Sequence, residues 1–152
     1  MIPAHTEAIP ERNLVINAHF RIEPCSSCPI AGYLIVSPRV RVSPLVELSP
    51  DVQAGPGVTL AAATRAIEGV IQPRRVYCAL FAEEMGSVHF HLFPRTDSLL
   101  SSYFRAHPKD AEVSGPRLLD WARSTFSGPA GRGYQQTAQA IFSTLDETLS
   151  GN

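Results

Sequence analysis

Two histidines separated by one residue are the strongest candidates for chemistry in this chain. His89 and His91 lie in the run Ser87-Val88-His89-Phe90-His91-Leu92-Phe93-Pro94-Arg95, where polar and apolar residues alternate. Alternation with a period of two is typical of a half-buried β-strand, so both imidazoles and Ser87 should share one face. Residues two apart on a strand lie roughly 6.5–7 Å from each other. Both rings could therefore contact one phosphate-sized group.

The composition is that of an ordinary globular protein. The chain has 152 residues, of which 44% are hydrophobic and 18% charged, and its formal net charge is −1. This balance gives no electrostatic reason to expect a nucleic-acid or membrane partner. No apolar run approaches the length of a membrane span, and the first residues lack the basic start and apolar middle of a signal peptide. We therefore expect a cytoplasmic protein.

Three cysteines, Cys25, Cys28 and Cys78, do not make a disulfide framework. The C-x-x-C pair at Cys25 and Cys28 has three interpretations: ordinary loop thiols, a redox pair, or part of a zinc site. Zinc would require two further ligands, and no second C-x-x-C or H-x₃₋₅-H follows. Prolines and a glycine surround the pair, which does not fit the strand-to-helix setting of a thioredoxin-type motif. The sequence favours loop thiols and predicts no metal or cofactor, with a zinc enzyme as an alternative.

The segments around the histidines predict a sheet with an inserted helix. Strands are predicted over residues 13–22, 33–36, 76–81 and 87–95. Between the second and third lies a helix whose apolar face repeats at intervals of three and four residues: Leu60, Ala63, Ile67 and Val70. The strand over 76–81 is predicted to be buried and to pair with the histidine strand as a hairpin.

Beyond Arg95 the pattern becomes helical. Ser98 is the predicted cap of a short helix that runs through Phe104. Two further helices are predicted from their apolar faces, one with Leu118, Leu119, Ala122 and Phe126, and one with Tyr134, Ala138, Ile141 and Leu145. Antiparallel strands with an inserted helix, followed by more helices, predict an α+β protein rather than a parallel doubly wound sheet.

The run from His89 to Arg95 resembles the signature of the histidine-triad (HIT) family, H-φ-H-φ-H-φ-φ, which is often followed by Pro-Arg. The segment from Gly32 to Arg39 is similar to the family's Gly-His-Leu-Leu-Val-x-Pro-Lys/Arg element, and the helix and strand that follow occur in the family's order. The resemblance implies a HIT-like fold, an antiparallel meander with an inserted helix, over residues 1–105. Residues 106–152 would form a C-terminal helical extension packed on the same domain.

The resemblance also implies nucleotide chemistry. In this family the middle histidine attacks the α-phosphorus of a nucleotide, and His89 occupies that position; a neutral imidazole is a competent nucleophile near pH 7 without a metal. His91 matches the third histidine, which hydrogen-bonds the phosphate oxygens. By position, Ile22 and Glu23 are the candidates for contacts with base and ribose. The implied activity is that of a nucleotide hydrolase or nucleotidyltransferase acting on a dinucleoside polyphosphate, a phosphoramidate or a nucleotide sugar.

The sequence departs from the family pattern around the histidines. Ser87 stands where the first histidine belongs, and a hydroxyl can exchange hydrogen bonds but cannot carry charge. Glu83 and Glu84 replace residues that touch phosphate. They would repel it unless one were protonated, turned away, or offset by a cation such as Arg95 or Arg39. A Glu83 or Glu84 of raised pKa could instead act as general acid for the leaving group.

These departures leave a second interpretation open. A catalytically weak or inactive HIT-like protein could bind a nucleotide or another anion without efficient turnover. The family's histidine on the second strand is also absent from the segment after Pro38, where Arg39 and Arg41 are found. Family members are commonly homodimers that pair through the sheet edge and the helix, and a C-terminal extension could cover that surface.

Overall fold

The computed structural model of the chain describes residues 15–42, 44–81 and 86–150. Its strands are β1 (Val15–Ile16), β2 (Phe20–Pro24), β3 (Leu34–Pro38), β4 (Arg75–Ala79) and β5 (Phe90–Arg95). Its helices are α1 (Pro50–Gln53), α2 (Pro56–Ile71), α3 (Asp97–Ala106), α4 (Gly115–Thr125) and α5 (Arg132–Ser150). The strands form one sheet in the order β1-β2-β3-β5-β4, and all neighbours are antiparallel. The predicted α+β class is confirmed. No helix in the described part of the chain is long and apolar enough to cross a membrane.

The strand predicted over residues 13–22 is wrong as a single element, because the chain reverses within it. Val15 pairs with Ile22 in an antiparallel hairpin of β1 and β2. Asn17 makes the turn: its Oδ1 accepts hydrogen bonds from the backbone N–H groups of His19 at 2.9 Å and Phe20 at 2.7 Å. An asparagine side chain that accepts hydrogen bonds from the backbone two and three residues later favours a turn over a continuous strand. The spacing of apolar residues does not reveal such a turn.

The strand predicted as buried over residues 76–81 is instead the edge strand β4. It pairs with β5 alone in the described sheet, and beyond it Leu80 and Phe81 are 39% and 52% exposed. The predicted hairpin itself is confirmed, with Ala79 opposite His91 and Arg75 opposite Arg95. An apolar run does not reveal whether a strand will have one neighbour or two.

The helices largely follow the prediction. In α2, Ala63 and Ile67 are buried on the predicted face, and the helix ends where Gln72 adopts a left-handed φ of 48° before Pro73. Of the predicted apolar faces, α4 buries Leu118, Leu119 and Ala122, and α5 buries Ala138, Ile141 and Leu145. Phe126, which follows the last residue of α4, and Tyr134 are only half-buried. The predicted cap Ser98 is wrong. Thr96 caps α3, because its Oγ1 accepts a hydrogen bond from the N–H of Leu99 at 3.2 Å.

The sheet is covered on both faces by separate groups of buried side chains. The first core cluster joins the sheet to α2 and α5 and contains Phe20, Ile22, Leu34, Val36, Leu48, Val52, Ala63, Ala66, Ile67, Leu92, Ala138, Ile141, Phe142 and Leu145. The second core cluster joins it to α3 and α4 and contains Cys25, Cys28, Tyr33, Phe93, Leu99, Leu100, Tyr103, Val113, Leu118, Leu119 and Ala122. Successive strand residues point to opposite faces, so Leu92 and Phe93 enter different clusters.

Candidate functional site

A row of paired residues crosses the sheet at His91. His91 lies opposite Ile35 of β3 on one side and opposite Ala79 of β4 on the other, and Glu23 of β2 lies opposite Ile35. Directly opposed residues of antiparallel strands project from the same face of a sheet. Glu23 and His91 therefore share a face, two strands apart, and it is the face that carries the second core cluster.

Ile22 belongs to the other face. It lies opposite Val36, is 2% exposed and belongs to the first core cluster beneath α2 and α5. Of the two residues that the resemblance assigns to the nucleoside, the structure brings Glu23 to the histidine face and places Ile22 in the core. The carboxylate of Glu23 forms an ion pair with the guanidinium of Arg21, with 2.7 Å between Oε2 and Nη2.

His89 immediately precedes β5, and a backbone contact sets its ring. Its Nδ1 lies 2.8 Å from the carbonyl oxygen of Ser87. Because a carbonyl can only accept, Nδ1 must donate, and in the neutral ring the lone pair then lies on Nε2. The segment is held in place by the N–H of Val88, which donates to the carbonyl of Val42 at 2.8 Å. The arrangement leaves Nε2 of a half-buried imidazole as a potential nucleophile.

His91 differs from His89 in burial. It is only 4% exposed, and its Nδ1 lies 2.7 Å from the hydroxyl of Tyr33. Burial, reinforced by the neighbouring His89 and by the cation of Arg123, lowers the pKa of His91 to about 4. The rings of His89 and His91 have centroids 4.9 Å apart, and the exposed ring of Phe81 lies 5.9 Å from His91. At neutral pH, His91 can exchange hydrogen bonds with a ligand but carries no charge.

Arg95 shares the face of His91 but lies at the other end of β5, about 13 Å further along the strand. Its Nη1 donates to the hydroxyl of Tyr77 at 3.1 Å and to the carbonyl of Val113 at 3.0 Å. The guanidinium thus links β4 to the segment before α4, and the structure does not bring it to the histidines. Glu83 and Glu84 lie outside the described residues.

Two residues near the histidines were not singled out from the sequence. Tyr33 aligns with the histidine of the family's Gly-His-Leu-Leu-Val element, and that substitution was the available signal. Arg123 lies on α4 and is close enough to lower the pKa of His91. No local pattern marks Arg123, because its position depends on how α4 packs against the sheet.

The C-x-x-C cysteines are buried in the second core cluster. Sγ of Cys28 lies 3.6 Å from the carbonyl of Ala122 on α4, and burial raises the pKa of this thiol to about 12. Such a thiol packs as a small apolar group and is a poor metal ligand. Among the residues that the structure describes, no group of three or more His, Cys, Asp or Glu side chains could hold a metal ion. The described residues therefore offer no set of ligands for the zinc site that was the alternative interpretation.

Solved structures share this fold. A zinc-bound histidine triad family protein from Mycobacterium smegmatis matches with a TM-score of 0.59 at 12% identity, over 92% of this chain and 88% of its own. A histidine triad protein from Bradyrhizobium japonicum matches with a TM-score of 0.62 at 13% identity, over 88% and 91% of the two chains. A hypothetical histidine triad nucleotide-binding protein from Sulfolobus tokodaii matches with a TM-score of 0.61 at 11% identity, over 88% of this chain and 82% of its own. No family model and no curated protein sequence matches the chain. The HIT-like fold implied by the sequence is confirmed.

Proposed function

We propose that this protein is a nucleotide hydrolase or nucleotidyltransferase that forms a nucleotidyl-histidine intermediate on His89. The observation that carries the proposal is the hydrogen bond from Nδ1 of His89 to the carbonyl of Ser87, which leaves a lone pair on Nε2. The HIT-like fold supports it, since one protein of that fold is described as nucleotide-binding. The substrate class is a dinucleoside polyphosphate, a nucleoside phosphoramidate or a nucleotide sugar.

The reaction has two displacements at the α-phosphorus. Nε2 of His89 attacks, a P–N bond forms, and the bond from phosphorus to the leaving group breaks; the leaving group takes the electron pair and acquires a proton from solvent. Water then attacks the same phosphorus and gives up a proton to solvent, the P–N bond breaks with its electron pair returning to Nε2, and the nucleoside monophosphate is released. In a transferase, the hydroxyl or phosphate oxygen of a second substrate replaces water. His89 regains its lone pair in either case.

Other residues on this face would hold the substrate. Neutral His91 can donate an N–H to a phosphate oxygen, and the Ser87 hydroxyl can donate one hydrogen bond in place of an imidazole. Glu23 can accept hydrogen bonds from both ribose hydroxyls, because a carboxylate has two acceptor oxygens. Ile22 and Arg95 would not contact the substrate, because Ile22 is buried on the other face and the guanidinium of Arg95 is bonded to Tyr77 and Val113.

The electrostatics of His91 favour a second candidate function, nucleotide or anion binding without efficient turnover. Its lowered pKa makes His91 neutral at pH 7, and Ser87 supplies no charge in place of the first histidine. Neither group then supplies a positive charge, so only neutral hydrogen bonds oppose the negative charge that develops on the phosphoryl oxygens. A protein with this arrangement would retain the ligand and react slowly.

Reaction with adenosine 5′-phosphoramidate separates the two functions. After an alkaline quench, mass spectrometry of the wild type should show one adenylyl group, which peptide mapping assigns to His89. His89→Asn should lose both adduct and turnover, whereas His19→Asn, at an exposed histidine, should keep both. Wild type that forms no adduct but is thermally stabilised by AMP would establish the binding-only function. Unchanged turnover in His89→Asn would overturn the assignment of the nucleophile.

We also propose a homodimer that forms along β4. The outer edge of β4 has no partner strand in the described sheet, and the exposed side chains of Leu80 and Phe81 adjoin it. An edge strand with apolar neighbours is a ready template for pairing with a second chain. Sedimentation should show a dimer that Leu80→Glu dissociates and that Val46→Glu, at a 79% exposed residue elsewhere, leaves intact. A monomeric wild type would refute this assembly.

A further inference from the structure

Tyr33 is a buried tyrosine that reaches the histidine pair from within the protein. Its side chain is fully buried in the second core cluster, and its hydroxyl lies 2.7 Å from Nδ1 of His91. The ring packs edge-on against Phe93 with 5.2 Å between centroids. Its backbone N–H donates to the carbonyl of Ile30 at 3.0 Å, and its carbonyl accepts from the N–H of Cys25 at 2.9 Å. Tyr33 therefore has a fixed position beneath His91.

The direction of the Tyr33–His91 hydrogen bond follows from where the protons can go. Both groups are neutral at pH 7, because burial lowers the pKa of His91 to about 4 and raises the pKa of Tyr33 above its usual value. If Nδ1 of His91 were the donor, the phenolic proton of Tyr33 would need a different acceptor. The side chain that could accept it is the neighbouring thiol of Cys25. A thiol sulfur is a weak acceptor, whereas an imidazole nitrogen is a good one. The hydroxyl of Tyr33 therefore donates to Nδ1, which leaves the proton of His91 on Nε2.

The two histidines then hold opposite tautomers. His89 carries its proton on Nδ1, where it is donated to the Ser87 carbonyl, and keeps a lone pair on Nε2. His91 accepts at Nδ1 from Tyr33 and keeps its N–H on Nε2. Adjacent rings thus present one nucleophilic nitrogen and one hydrogen-bond donor, the pair of groups that attack on a phosphoryl centre requires.

We propose that Tyr33 is the positioning residue that sets His91 in the Nε2–H tautomer, so that His91 donates to a phosphoryl oxygen while His89 attacks phosphorus. The inference rests on the proposed function for its catalytic consequence, but the tautomer of His91 can be observed without any substrate. Tyr33 itself does not touch the substrate and acts through His91.

Nitrogen-15 NMR of wild-type protein tests the first step. The ring nitrogens of His91 should show an unprotonated Nδ1 and a protonated Nε2 at pH 7, and the neutral form of His89 should show the reverse. Tyr33→Phe removes the hydroxyl and keeps the ring against Phe93, so His91 should become a mixture of tautomers. A wild-type His91 protonated at Nδ1 would overturn the proposal whatever the variant does, even if the variant failed to fold.

Kinetics test the second step, with Tyr103→Phe as the matched control. Tyr103 is also fully buried, and its hydroxyl donates to Asp110 at 2.7 Å, so the same atom is removed from a comparable setting. Tyr33→Phe should lower kcat for adenylyl transfer by roughly 10- to 100-fold with KM changed less than about twofold, as expected when a positioned donor is lost. Tyr103→Phe should leave kcat and the His91 tautomer unchanged.

Unchanged kcat and an unchanged His91 tautomer in a folded Tyr33→Phe would refute the positioning role of Tyr33. An inactive wild type with the expected tautomers would refute the proposed function alone.

Discussion

The carbonyl oxygen of Ser87 accepts a hydrogen bond from Nδ1 of His89 at 2.8 Å. This contact uses the backbone of residue 87, so the tautomer of His89 does not depend on the side chain there. A serine at the position that the HIT resemblance aligns with the first histidine is therefore compatible with a lone pair on Nε2 of neutral His89. What the serine removes is a chargeable side chain beside the proposed phosphate site.

Substitution at residue 87 should separate the contribution of its backbone carbonyl from that of its side chain. We expect Ser87→Ala to form the adenylyl adduct on His89 with a rate reduced by no more than about tenfold, because only one neutral hydrogen bond is lost. Ser87→His should raise the rate by restoring an imidazole at this place. Quench-flow mass spectrometry measures both. Complete loss of the adduct in Ser87→Ala would mean that the hydroxyl is essential to the chemistry.

His91 should make the stability of the protein sensitive to acid. Its folded-state pKa of about 4 lies below the ordinary histidine value of 6.5, so the unfolded chain binds the proton more tightly. The stabilisation is complete above pH 6.5 and is lost as the pH falls through 6.5 towards 4. Urea unfolding across that range should show a shallower pH dependence for His91→Gln than for wild type. His19→Gln, at an exposed histidine, should behave like wild type, and identical slopes in all three proteins would contradict the prediction.

Arg123 should contribute to the low pKa of His91. Its positive charge disfavours the imidazolium form, so Arg123→Gln should raise the pKa of His91. An NMR titration of the His91 ring measures the change directly. The control is Arg105→Gln on α3, where the arginine is exposed and is not among the groups that shift His91. A pKa that is unchanged or lower in Arg123→Gln would show that α4 does not act on the site.

Glu23 should make the protein prefer a ribonucleotide to its 2′,3′-dideoxy analogue. If its carboxylate accepts the ribose hydroxyls, Glu23→Gln should raise KM for a ribonucleotide substrate by roughly tenfold or more, since hydrogen bonds to a charged group are worth about 1.5–3 kcal/mol. The same variant should have little effect on the 2′,3′-dideoxy analogue. Glu47→Gln, at an exposed residue, serves as the control. Equal effects on both substrates would place Glu23 outside the ribose site.

The turn before β3 should disfavour any residue other than glycine at position 32. The φ of Gly32 is +83°, a left-handed conformation that L side chains rarely adopt, and an added Cβ would displace the terminal methyl group of Ile71. We expect Gly32→Ala to destabilise the fold by about 1–3 kcal/mol, mainly through backbone strain. Gly69→Ala, inside α2 with open space around it, should be neutral or stabilising by up to about 1 kcal/mol. Chemical denaturation compares the two variants, and a Gly32→Ala variant as stable as the wild type would contradict the predicted backbone strain.

The local spacing of polar and apolar residues was sufficient to predict several features of this protein. Alternation over residues 87–95 predicts that His89 and His91 share a face, and the structure has Phe90 and Leu92 on the side of the first core cluster. The three- and four-residue spacing in α2 and α5 predicts their buried faces. These features depend on neighbours within one turn or one strand, so the sequence by itself determines them. The HIT-like resemblance rests on the same short-range motifs.

Only the tertiary structure decided which distant residues meet. Alternation dictates that Ile22 and Glu23 point to opposite faces, but the register of β2 on β3 and of β3 on β5 decides that Glu23 faces His91. Likewise Tyr33 reaches His91 across 58 residues of sequence, and Arg123 acts on it only because α4 packs on this face. Strand order, register and helix docking are set by burial summed over the whole chain. Short windows of sequence do not contain that information.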